Sequence, residues 1–209
     1  RSSDLNAAEV EQAERIILPG NGAFDACMHN LRASGLLPML EQQVLQRCVP
    51  LLGICVGAQM LGHGSAEGVT PGLGWLDMRV ERFPALPDLR IPHMGWNHAA
   101  AAQANHPLTK DMTDETRFYF VHSYYMKPKN SDQILLNSNY GIDFAAGVIQ
   151  RNISGVQFHP EKSQLAGRAL AQLAAAAPYI AAFVAVAYLA SKYVGEGTAH
   201  MGGGSQYSA

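Results

Sequence analysis

Charge of either sign is in short supply. There are 15 Lys and Arg against 17 Asp and Glu in 209 residues, a net of −2, with no basic run. That balance excludes nucleic acid as the principal partner, which would need a cationic face. Cysteine is scarce too: Cys27, Cys48 and Cys55 are the whole set. Three thiols make no disulfide framework, and a reducing compartment suits them. No charged n-region with an apolar core and a small-residue cleavage site opens the chain, so a cytoplasmic location is expected. The 8 histidines include no pair at structural-zinc spacing, so neither a metal nor another cofactor is expected. There is no internal repeat. What is present, 48% hydrophobic residues, suffices for one α/β domain with a real core.

The early part of the chain alternates helix and strand. Asn6-Ala7-Ala8-Glu9 reads as an N-cap with its answering Glu, opening a short helix to about Glu14. Arg15-Ile16-Ile17-Leu18 reads as a buried strand ended by Pro19-Gly20. Residues 24–34 predict a helix stopped by Gly35, and 37–47 another that feeds the strand before Cys55. From Gly72 short strands take over, at 75–83, 117–125, 133–137, 145–150 and 154–158. His93 and His98 flank what reads as a Trp-Asn turn. Alternating β and α followed by mostly β predicts a parallel sheet carrying an antiparallel extension.

Two short pieces carry chemistry. Gly53-Ile54-Cys55-Val56-Gly57 follows the apolar run Val49-Pro50-Leu51-Leu52 and precedes the helix-compatible Ala58-Gln59-Met60-Leu61. That order is strand, sharp turn, helix, with glycines that let the backbone pass a strained corner. A thiol at a helix N-terminus is favoured as thiolate by the positive end of the macrodipole. The second piece, His159-Pro160-Glu161, ends the extended run Gly155-Val156-Gln157-Phe158. Residues i and i+2 of a strand share a face, so Glu161 orients His159 provided that strand geometry continues past Pro160. Together they are what a Cys-His-Glu triad requires. Read singly, Cys55 is a small buried hydrophobe and His159 a strand-end histidine; the glycine bracket and the neighbouring carboxylate raise both above that.

With these motifs the chain resembles the class I, triad-type glutamine amidotransferases. Among them it is most similar to the glutaminase subunits of imidazole glycerol phosphate synthase in histidine biosynthesis. The matching words are Leu18-Pro19-Gly20-Asn21-Gly22-Ala23-Phe24, Gly53-Ile54-Cys55-Val56-Gly57-Ala58-Gln59 and Pro92-His93-Met94-Gly95-Trp96-Asn97. Further on come Phe120-Val121-His122-Ser123-Tyr124-Tyr125 and Gln157-Phe158-His159-Pro160-Glu161-Lys162-Ser163. The resemblance implies a flavodoxin-like α/β fold, with helices on both faces of a mostly parallel sheet and an antiparallel β extension. It implies catalysis by Cys55, His159 and Glu161 on L-glutamine. The Val56 N–H and the Gly20-Asn21 peptide would serve the oxyanion. Gly22, Gln59, Glu67, His122, Ser123 and Tyr124 would line the glutamine site. Met94, Trp96, Asn97 and Lys162 would face a (β/α)8-barrel cyclase/synthase subunit that takes the ammonia. The family usually has an apolar residue at Asn21, a departure that bears on how this loop gates.

Both ends depart from the family pattern. Relatives open with a strand, helix and strand before the segment at Arg15, and the chain is read as lacking that unit. Residues 1–170 are read as the amidotransferase domain, 171–194 as an Ala-rich apolar helix and 195–209 as a flexible Gly/Ser tail. Leu173 to Ala190 carries no charge and has the length of a membrane span, but alanine and Pro178 favour a surface or partner-covered helix. Two other readings stay open: a paralogous glutaminase feeding a sugar amidotransferase in surface-polysaccharide synthesis, which Gly74-Trp75-Leu76 and Asn139-Tyr140-Gly141 also fit, and a truncated inactive copy.

Overall fold

A strand buried on both faces must be apolar throughout, and Leu51–Cys55 is buried at all five positions. This strand, β2, lies between two parallel neighbours, β1 (Ile16–Gly20) and β10 (Ile153–Val156). A computed structural model describes residues 7–103, 106, 108–109, 112–113 and 115–162. The expected cap at Asn6, Ser163, the 171–194 segment and the 195–209 tail lie outside these residues. Among the described residues no helix is long and apolar enough to cross a membrane.

The chain enters through α1 (Ala7–Glu11), runs along β1 and returns through α2 (Phe24–Ala33). Next comes α3 (Leu37–Glu41), which passes into one π-helical stretch, Gln42–Gln46, where a continuous α-helix to Arg47 is expected. That stretch buries Gln43 and Val44 before the chain turns into β2. After β2 the short α4 (Val56–Gln59) begins at once. The remainder is β-rich: β3 (Met78–Arg82), β4 (His93–His98), β5 (Ala100–Ala101), β6 (Arg117–His122) and β7 (Tyr124–Pro128). A 3-10 turn at Ser131–Gln133 then leads to β8 (Ile134–Asn139), β9 (Asp143–Gln150) and β10, and Pro160–Lys162 is a second 3-10 turn.

The main sheet runs β1-β2-β10-β9-β7-β3, with β8 on β9 and β5 on β8. Its first three strands are parallel, and β9, β7 and β3 continue it antiparallel. The expected parallel sheet with an antiparallel extension is what forms. Two local expectations fail. His93–His98 is not a turn but a strand, paired with β6 over six positions, from His93 opposite His122 to His98 opposite Arg117. Gly95, at φ +137, supplies a conformation that a side chain would resist, while the long pairing overrides the turn-like composition. The expected 117–125 strand is broken at Ser123, so β6 and β7 belong to different sheets. Between them an aromatic core closes: Phe118 stacks on Phe158 at 3.8 Å, and Phe83 meets Phe144 edge-on at 5.3 Å.

Candidate active site

Parallel neighbours in register bring their C-terminal ends together, the usual place for a site in an open α/β sheet. Here Gly20 of β1 pairs with Cys55 of β2, and Val156 of β10 pairs with Ile54. One residue past β10, Gln157 is therefore level with Cys55, and its Nε2 comes to 3.9 Å from the thiol sulfur. The glycine loop, the thiol and the His159 segment, remote in sequence, converge at one edge.

Cys55 is 5% exposed and has φ 53 and ψ −117. A non-glycine residue held there stores on the order of 1–3 kcal/mol, which recurs where a nucleophile is presented on a tight corner. The glycines around it permit α4 to lie directly on the sheet. A Cβ on Gly53 would come within 2.7 Å of Ala58 Cα, and one on Gly57 would run into the Leu18 carbonyl. α4 spans four residues, so its macrodipole is a short one, and it begins at Val56 directly after Cys55.

His159 follows β10 after two residues, and its backbone N–H donates to the Tyr119 carbonyl at 3.0 Å. Strand geometry does not continue past Pro160. The Pro160–Lys162 turn replaces it, so the expectation that Glu161 shares a strand face with His159 fails as stated. Proline, lacking the ladder N–H, ends the extended run.

Gly20 ends β1 and is buried; Asn21 and Gly22 follow it, both exposed, with Gly22 at φ +96. The Cys27 thiol donates to the Asn21 carbonyl at 3.3 Å. Burial pushes the Cys27 thiol up, so it stays protonated and able to donate. Of the expected glutamine-site residues, several have internal partners. Glu67 accepts the Phe24 N–H at 2.9 Å, at the start of α2. Gln59, 3% exposed, donates through Nε2 to Tyr124 O at 3.1 Å and to Gln157 Oε1 at 3.0 Å. The Ser123 carbonyl accepts the Phe83 N–H at 3.2 Å. His122 donates from Nδ1 to Tyr124 O at 2.8 Å and faces His93 with Nε2 at 2.9 Å. Gln157, Cys27 and His93 had no site role from sequence, although Gln157 and His93 lay inside quoted motifs.

On β4, Met94 and Trp96 share one face and are 61% and 48% exposed. Trp96 meets Tyr119 edge-on at 5.9 Å, and Lys162 Nζ sits 5.7 Å from the Tyr119 ring centre. Asn97, expected on the same docking face, turns the other way. Its Nδ2 donates to Asn139 O at 2.8 Å and to His93 at 3.2 Å, and its Oδ1 accepts the His98 N–H at 2.8 Å. The polar atoms of this half-buried side chain are thus all engaged within the protein.

Burial lowers His93 to about 4 and His122 to about 3, so both are neutral near pH 7. The unfolded chain binds protons at these rings near 6.5 and the folded chain far lower, so their contribution is present above 6.5 and is lost as pH falls through that value toward 4. From about pH 7 to about pH 5 the two rings should remove on the order of 4 kcal/mol of unfolding free energy. Urea unfolding at the two pH values measures this; a loss under about 1 kcal/mol would mean that the rings are not buried as neutral bases.

The glutamine amidotransferase class-I family model matches residues 2–171. Imidazole glycerol phosphate synthase subunit HisH 2 of Pseudomonas aeruginosa is 52% identical over 162 residues, covering 78% of this chain and 80% of the relative. The corresponding HisH subunit of Bdellovibrio bacteriovorus is 47% identical over 167 residues, covering 78% and 81%. A crystal structure of a glutamine amidotransferase, 19% identical, covers 81% of this chain and 84% of its own with a TM-score of 0.60, a likeness of fold. The chain belongs to the class-I glutamine amidotransferases.

Proposed function

We propose that this chain hydrolyses L-glutamine through a thioester on Cys55 and passes the ammonia to a (β/α)8-barrel subunit of an imidazole glycerol phosphate synthase. The observation that carries the reading is the strained, buried Cys55 set in register beside the His159 segment and the Gly20 loop. The relatives from Pseudomonas and Bdellovibrio, named as subunits of that synthase, support the pathway.

A carboxamide is a poor electrophile, so catalysis begins with the Cys55 thiolate adding to the glutamine side-chain carbonyl. The oxyanion is received by the Val56 N–H and by the Gly20-Asn21 peptide. Collapse breaks the C–N bond as His159 gives its proton to the departing nitrogen, releasing ammonia and leaving the thioester. Water, deprotonated by His159, then cleaves the thioester to glutamate and free thiol. Glu161 keeps the imidazole in the required tautomer and stabilises its cation. Gly22, Glu67, Ser123 and Tyr124 contact the substrate, with the second Glu67 oxygen suited to its α-ammonium. His122 and Gln59, whose donors are engaged within the protein, act on that site from behind.

Met94, Trp96 and Lys162 form the docking face for the barrel: two exposed apolar side chains with a cation beside them fit an interface core with a polar rim. The test is glutamate production with and without the barrel subunit and its nucleotide ligand. Hydrolysis is expected to be slow alone and strongly stimulated in the complex. Trp96→Ala should weaken docking by about 2 kcal/mol, roughly thirtyfold in Kd. Full activity without a partner would overturn the coupling, and an unchanged Kd for Trp96→Ala would move the docking face elsewhere.

A further inference from the structure

An unbroken line of hydrogen bonds runs inward from β4 to the nucleophile. Asn97 Nδ2 donates to His93 Nε2 at 3.2 Å, and His93 Nδ1 to His122 Nε2 at 2.9 Å. His122 Nδ1 donates to Tyr124 O at 2.8 Å, which also accepts Gln59 Nε2 at 3.1 Å. Gln59 Nε2 reaches Gln157 Oε1 at 3.0 Å, and Gln157 Nε2 lies 3.9 Å from Cys55 Sγ.

Two donor sequences meet at the Tyr124 carbonyl, one from Asn97 through the two rings and one from Gln59. A backbone carbonyl only accepts, so His122 must carry its proton on Nδ1, which leaves Nε2 as an acceptor in the neutral ring. His93 must then donate from Nδ1 and accept at Nε2, where the Asn97 amide supplies a hydrogen. The His98 N–H on Asn97 Oδ1 fixes which end of that amide faces His93. Both rings are thus held in the tautomer that free imidazole disfavours. Both are nearly out of water, at 3% and 6% exposure, and burial keeps them uncharged near neutral pH.

We propose that His93 and His122 are positioning residues for the reaction at Cys55: two neutral Nδ1–H imidazoles that hold the Tyr124 carbonyl and, through Gln59 and Gln157, set the thiol. The proposal rests on the glutaminase reading. It differs from plain packing, which the same ring could also serve, since His93 stacks on Phe120 at 4.7 Å and on Tyr140 at 4.0 Å. Hydrogen bonding and stacking make opposite demands on a replacement. His93→Asn keeps a donor near the Nδ1 position and loses the stack; His93→Phe keeps the stack and loses the donor.

The experiment has two arms. In protein labelled with 15N-histidine, long-range proton–nitrogen correlation near neutral pH should place the proton of both rings on Nδ1. An Nε2–H form or a charged ring at either residue overturns the proposal, whether or not any variant folds. In the second arm, kcat and KM for glutamine are measured for the wild type and both variants, in the complex with the barrel subunit. His93→Phe should lose about tenfold or more in kcat with KM changed less than about threefold, whereas His93→Asn stays within about threefold of wild type in kcat. Any other ranking of the two variants assigns His93 to packing and overturns the proposal. A wild-type protein that does not hydrolyse glutamine would sink the glutaminase reading, while the tautomer result would still decide the geometry of the line.

Discussion

Cys55→Ser should lower glutamine hydrolysis by about a thousandfold or more while leaving the fold and glutamine binding intact. Oxygen for sulfur is nearly isosteric, so the buried corner between β2 and α4 keeps its packing. What changes is the nucleophile, since a hydroxyl is far less ionised than a thiol near neutral pH. The three thiols also differ in a way that labelling can read. Cys48 is exposed, whereas Cys27 and Cys55 are buried. A small non-specific alkylator should therefore reach Cys48 first. A glutamine-shaped electrophile should label Cys55 instead, because binding delivers it to the site. Cys27, protonated and donating to Asn21, should escape both reagents. Mass spectrometry that finds the glutamine analogue on Cys48 or Cys27, or a Cys55→Ser protein with near-normal turnover, would remove Cys55 from the mechanism.

The strained corner at Cys55 was legible because its signal is local. Gly53 and Gly57 flank Cys55 within five residues, and each glycine is required by a backbone close by in the fold. The β1 and β2 strands were legible because buried parallel strands are apolar runs. What escaped depends on partners remote in sequence. His93 finds His122 across 29 residues, and Gln59 finds Gln157 across 98. No pattern in either segment announces the other. Composition also misled at β4: Gly95 and Asn97 look like turn formers, yet Gly95 fills a positive-φ position within a strand, and Asn97 has its amide committed inward. At Pro160 the sequence left a condition open, that strand geometry continue to Glu161; the missing N–H instead starts the turn that carries Glu161.

Among the described glycines, Gly57 should be the one that tolerates an added methyl group least. Its Cβ would run into the carbonyl of Leu18 and lie 2.9 Å from Pro19 C, all backbone atoms of β1. No side chain can swing aside, so α4 must lift off the sheet or β1 must move. Either motion shifts the Val56 N–H and Cys55, which sit in the same turn, and separates the Gly20 loop from them. A loss of about 3 kcal/mol or more is expected, or about 10 °C in Tm for a domain of this size. Turnover of the protein that remains folded should fall as well, because the oxyanion donors and the thiol lose their common register. Gly64→Ala is the matched control. A Cβ there meets only Thr70 O, at 3.9 Å, which is ordinary contact, so stability should stay within about 0.5 kcal/mol of wild type. Thermal melts and glutamate production of the two variants, side by side, decide the matter. A Gly57→Ala protein that melts and turns over like Gly64→Ala would show that α4 does not rest on β1 as described, and the placement of Val56 as an oxyanion donor would fall with it.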